Sequence, residues 1–108
     1  MVVSKVGNYL GISRKGNYLI IGSDNIKAYA KKMYLIILSK DAGDNAIKIA
    51  KNKSKEYNIN CIMFDKELSD YVGIENCKIV ALKNKGLSDA ILRCENEYKI
   101  CNVKSEAN

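Results

Sequence analysis

Tyr34-Leu35-Ile36-Ile37-Leu38 is the stretch whose reading decides the fold. An unbroken apolar run of strand length implies burial on both faces, as in a sheet covered by helices on either side. Upstream, Val3, Val6, Leu10 and Ser13 follow a three-and-four spacing, which predicts a helix ending near Gly16-Asn17. Glycine and asparagine both tolerate the left-handed conformation that closes a helix. Tyr18 to Ile21 reads as a short buried strand broken by Gly22. Ser23 is then placed to cap a helix running to about Lys32, with Asp24 in its first turn. Downstream of the loop at 39–43, Asp44 opens a helix carrying Ala46, Ile47, Ile49, Ala50 and Tyr57. Its polar face holds Lys48, Lys51, Lys53 and Lys55. Ile59 to Phe64 is a third strand, and Asp65 is placed to cap a short helix that stops at Gly73. Cys77 to Leu82 is a fourth strand, Lys83-Asn84-Lys85-Gly86 a loop, and Ser88 to Arg93 a last helix. Alternating helices and strands predict an α/β fold, a three-layer α-β-α sandwich on a four-stranded sheet.

The 108 residues contain no proline and no linker, so residues 1–108 read as one domain, frayed from about 103. Gly7-Asn8-Tyr9-Leu10 recurs as Gly16-Asn17-Tyr18-Leu19, but two copies nine residues apart do not make a repeat architecture. The apolar run from Met33 to Ser39 is far below the ~20 residues of a membrane span. The N-terminal patches are cut by Lys5, Gly7, Asn8 and Gly11, unlike a signal peptide, so a cytoplasmic protein is expected.

Composition narrows the chemistry. With no histidine, Ser-His and Cys-His nucleophile pairs and histidine metal sites are excluded. Cys61, Cys77, Cys94 and Cys101 form no C-x-x-C pair, and reduced thiols without metal are expected. No glycine run matches a nucleotide-binding loop, so neither an enzyme nor a small-molecule cofactor is expected. The charge, in contrast, is uneven. Residues 1–55 carry eleven Lys/Arg against three Asp/Glu, a net of +8, while residues 56–108 carry seven against nine. A basic half of this kind is suited to facing a polyanion.

Several segments, in order, resemble the kink-turn-binding ribosomal protein family (the large-subunit seven-Ae/thirty-e type), and most nearly its small bacterial YlxQ-type branch. They are Leu10-Gly11-Ile12 with Gly22-Ser23-Asp24, the run Leu38-Ser39-Lys40-Asp41-Ala42-Gly43-Asp44-Asn45, Leu68 with Val72-Gly73-Ile74, and Ile79-Val80-Ala81-Leu82 with Lys85-Gly86. The resemblance spans roughly residues 9–92. It implies a four-stranded mixed sheet and binding of structured RNA, such as ribosomal RNA or a kink-turn, with the ribosome as a partner. In such proteins the start of the second helix enters a widened major groove, and the loop before the last strand meets a flipped-out nucleotide. Carried onto this sequence, the RNA-binding residues are Gly22, Ser23, Asp24, Asn25, Lys27 and Lys31, with Ile74, Glu75 and Asn76 in the flipped-base loop. The residue types suit the task. Glycine lets a backbone approach phosphate, exposed amides at a helix start attract anions, and asparagine can read a base edge.

Two departures are plain. The family's consecutive Asn-Glu is replaced by Asp24-Asn25, and the lysine comes one residue early, a rotation of about 100° on a helix. The segment between Gly22 and Leu35 is also shorter than in the relatives, implying a truncated helix. These changes leave an alternative open, in which the fold persists as a protein-binding or ribosome-associated scaffold without sequence-specific RNA recognition.

Overall fold

The computed structural model describes residues 3–104. The 34–38 run forms β2 (Leu35–Leu38), and all four of its residues are buried. It lies in the middle of a five-stranded mixed sheet of order β1-β4-β2-β3-β5. The other strands are β1 (Leu19–Ile21), β3 (Asn60–Phe64), β4 (Ile79–Leu82) and β5 (Tyr98–Asn102). β2 runs parallel to β3, which requires a crossover, and α3 (Asp44–Tyr57) supplies it. β4 is antiparallel to both β1 and β2.

Successive strand residues point to opposite faces, and each face has its own core. Leu35, Ile37, Ile62, Phe64, Val80 and Leu82 pack with Val6 and Leu10 of α1 (Lys5–Lys15) and Ile91 of α5 (Lys85–Leu92). Ile36, Leu38, Cys61, Ile79 and Ala81 pack instead with Ile26 of α2 (Ser23–Ala28) and with Ala46 and Ala50 of α3. Helices therefore cover both faces of the sheet. No helix among the described residues is long and apolar enough to cross a membrane.

The expected four-stranded sheet is corrected to five strands. β5 pairs antiparallel with β3, with a bulge opposite Cys61 and Ile62. Its side chains are only half-buried or exposed, Ile100 being 61% exposed, so no apolar period marks it. Backbone pairing with β3 defines it, and the half-buried Tyr98, Cys101 and Asn102 tie it to the body of the fold. The fraying expected from about 103 concerns mainly residues 105–108, which lie outside the described residues; Lys104 N still donates to Asn60 Oδ1 at 2.7 Å.

Other boundaries move as well. α1 ends as expected, with Asn17 in the left-handed region at φ 61°. α2 is capped by Gly22, not Ser23, and stops at Ala28, not Lys32. Tyr29 is extended, and its carbonyl accepts a hydrogen bond from the Tyr57 hydroxyl of α3 at 2.8 Å. The fourth helix, α4 (Ser69–Val72), follows Leu68 and is not capped by Asp65; it ends at left-handed Gly73, as expected. β4 begins at Ile79, not Cys77. α5 starts at Lys85, inside the expected loop, because the Asn84 side chain accepts a hydrogen bond from Leu87 N at 2.8 Å.

Candidate nucleic-acid interface

The first candidate segment leaves the sheet at Gly22. Its backbone lies at φ 91° and ψ 153°, a region open essentially only to glycine. Gly22 N donates to Ile79 O at 3.0 Å, and Gly22 O accepts from Ile26 N at 3.1 Å. One glycine therefore joins the start of α2 to the start of β4. The 74–77 loop enters β4 at that same point, so the two candidate segments meet along one rim of the sheet. Gly22, Ser23 and Asp24, which open α2, lie at the end of the sheet where Ile74, Glu75 and Asn76 lead into β4, whereas Asn25 and Lys27 lie farther along α2, Asn25 lining a recess with Leu19, Ala28, Tyr29 and Lys83.

Along the two segments the side chains differ in what they offer. Asp24, Asn25 and Lys27 are exposed, and Ser23 is half-buried and makes no side-chain cap. The Asn25 amide donates back to Ile21 O at 2.7 Å. Its side-chain oxygen has no hydrogen-bond partner among the described residues. At six residues, α2 is less than two turns long and gathers little macrodipole. The anion attraction expected of its first turn is therefore small, and the cation Lys27 lies in the last turn. In the second segment, Ile74 packs against the core, while Glu75 and Asn76 are exposed, Asn76 in the left-handed region at φ 58°. A shallow recess here is lined by Ser69, Asp70, Gly73, Glu75 and Asn76.

Lys31 is not part of this rim. It lies in the 29–34 connection, whose Tyr34 N donates to Leu82 O at 2.9 Å, at the end of β4 opposite Ile79. The truncated α2 explains this, since the chain leaves the helix at Ala28 and returns toward β2 before Lys31 is reached.

Residues that received no role in the sequence reading hold the rim together. Ser39, fully buried after β2, donates through its hydroxyl to Asp41 Oδ1 at 2.5 Å and accepts from Leu68 N at 3.0 Å. Asp41 also forms an ion pair with Lys78. The hydrogen bond from Lys78, and then that from Ser39, hold the Asp41 carboxyl down at about 2, below its ordinary 3.8. Arg14 of α1 donates to Val72 O at 2.7 Å, fastening the end of α4. A serine–aspartate pair two residues apart is a legible turn signal, but the arginine's partner, 58 positions away, is not.

The four cysteines are free; Cys61 and Cys77 are buried, and Cys94 and Cys101 half-buried. Burial, reinforced by the neighbouring Cys101 thiol, pushes Cys61 up to about 12, and burial also raises Cys77. Both behave as small core hydrophobes rather than nucleophiles.

The fold and rim define a small α/β protein with a five-stranded mixed sheet flanked by helices and a connected loop cluster at one end. No family model matches the sequence, and no curated protein matches it. Among solved structures, the chain is similar to a Bacillus halodurans protein of unknown function. The two are 24% identical, with a TM-score of 0.77 over 88% of this chain and 100% of that one. At this identity the likeness is one of fold.

Proposed function

We propose that the chain is a non-catalytic binder of structured RNA, ribosomal RNA or a kink-turn element, engaged through the Gly22–Lys27 and Ile74–Asn76 rim. The observation that carries this reading is the Gly22–Ile79 hydrogen bond, which brings the two segments named by the family resemblance to one place. Beyond Gly22 there is open space where a side chain would stand, so a phosphate could approach the backbone closely. Lys27 offers a cation in the last turn of the same helix, and the side-chain oxygen of Asn25 can accept from a base.

A second reading is a scaffold of the same fold that binds a protein or the ribosome surface. Two observations favour it: the Asn25 amide is already spent on Ile21 O, and Asp70 and Glu75 line the recess beside Asn76. Carboxylates repel a phosphate backbone.

A gel-shift series across salt concentrations, on a kink-turn RNA and on a linear duplex of the same length, separates the two. RNA recognition at the rim is expected to favour the kink-turn, and Lys27→Ala should lower the salt slope by about one, with Lys55→Ala, in the last turn of α3, as a charge control away from the rim. No preference, or equal losses in both variants, refutes recognition at this site.

A further inference from the structure

At the end of the sheet opposite the rim, several connections gather. Tyr34 N donates to Leu82 O at 2.9 Å, Lys83 N to Tyr18 O at 2.8 Å, and Lys104 N to Asn60 Oδ1 at 2.7 Å. Between them lies a cleft of about 400 Å³, within the range of small-ligand sites. Lys32, Tyr34, Tyr57, Lys85, Asp89 and Lys104 are among the side chains lining it.

Its charge is unbalanced. Three lysines come from three separate segments: the α2–β2 connection, the first residue of α5 and the chain beyond β5. Asp89 is the one carboxylate in the lining, and it pairs with Lys85 at 3.1 Å. The Lys32 ammonium sits 5.3 Å from the centre of the Tyr34 ring, and neither it nor Lys104 has an ion pair among the described residues. The first turn of α5 contains no acidic residue, so the start of that helix adds to the positive field. Bringing like charges together around a concave, partly apolar surface costs energy unless an anion offsets it. Tyr57 is a fixed wall, since its hydroxyl is bonded to Tyr29 O.

We propose that this cleft is a phosphate-binding site, separate from the rim, that takes two or more linked phosphates of an RNA strand or of a free nucleotide. Two ammoniums without ion pairs among the described residues, and a third shared with Asp89, match a multiply charged anion better than a single one. The site does not depend on RNA recognition at the rim.

The test is an amide chemical-shift titration of the ¹⁵N-labelled full chain with inorganic triphosphate, ATP and a hexauridine strand. Shifts are expected at residues 32–34, 57–60, 85–89 and 104. The K32A/K85A double variant should bind at least roughly tenfold more weakly, as for loss of a charge-assisted hydrogen bond. The N25A/K27A variant, whose residues are outside the lining of the cleft, should bind triphosphate unchanged. If K32A/K85A does not keep the parent spectrum elsewhere, K104Q is the substitute and should also weaken binding. Triphosphate and ATP binding more tightly than the strand assigns the site to free nucleotides, and the reverse order assigns it to RNA; either result supports the cleft. The proposal is overturned by absent shifts, by shifts spread equally over Lys48, Lys51 and Lys55, or by unchanged affinity in the cleft variants.

Discussion

The two ends of the sheet are built on different principles. The rim at Gly22 is made by backbone: a glycine-only conformation, two further left-handed residues at Gly73 and Asn76, and hydrogen bonds through buried Ser39. Its charges are mixed, with Asp24 at the start of α2, Asp70 and Glu75 in the neighbouring recess, and Lys27 in the last turn of α2. The opposite cleft is made by long side chains converging from three segments, and its charge is mostly of one sign. Shape is thus concentrated at one end and charge at the other. A change at the rim should be felt as lost stability, and a change in the cleft as lost anion affinity with the fold intact.

The largest effect is expected at Gly22. An alanine there meets no neighbouring atom, so its cost is purely conformational, roughly 1–3 kcal/mol. Gly11, in the middle of α1, also has open space, but it is helical, and alanine there should add about 0.5–1 kcal/mol. Urea denaturation of Gly22→Ala and Gly11→Ala should therefore move in opposite directions; parallel changes would mean that the rim does not rest on its backbone. Next in size is Asn25→Ala, which removes the bond to Ile21 O and should cost about 1 kcal/mol of stability. If the Asn25 oxygen reads a base, the same change reduces discrimination between RNAs by about 1–3 kcal/mol. Stability lost without any change in RNA preference would leave Asn25 a purely structural residue.

Asp41 sharpens the contrast through pH. Its folded value, about 2, is depressed below the ordinary 3.8 by Lys78 and Ser39. A depressed carboxyl contributes its stability above the ordinary value and loses it as the pH falls through the folded one. The gap in Tm between the parent and Asp41→Asn should be fully open above pH about 4 and close as the pH nears about 2. A gap independent of pH would show that the ion pair does not fasten the rim. The smallest effect on stability is expected from the cleft: K32A/K85A should unfold within about 0.5 kcal/mol of the parent, since exposed lysines and one surface ion pair contribute little. A larger loss would make those lysines structural and erase the difference between the two ends.

Parts of this architecture were legible in the residues themselves. The interior strand at 35–38 follows from an uninterrupted apolar run, and the end of α1 from Gly16-Asn17, because both signals are local. The start of α3 at Asp44 and the left-handed stop at Gly73 are local in the same sense. The candidate rim was legible in outline, as two segments, but Lys31 fell outside it because α2 ends early. That end depends on a tyrosine 28 residues away.

Alone, the sequence determined the interior strand, the alternation of helix and strand, and the uneven charge, because burial, capping and charge are written in neighbouring residues. Identical local sequence did not determine conformation: Gly7-Asn8-Tyr9-Leu10 lies within a helix, whereas Gly16-Asn17-Tyr18-Leu19 turns and enters a strand. The tertiary structure decided that, as it decided the fifth strand, which backbone pairing with β3 defines. It also decided where charge gathers. Lys32, Lys85 and Lys104 are unremarkable surface lysines in the chain and become one cationic cleft only when three distant segments meet, because a field depends on distances in space rather than along the backbone.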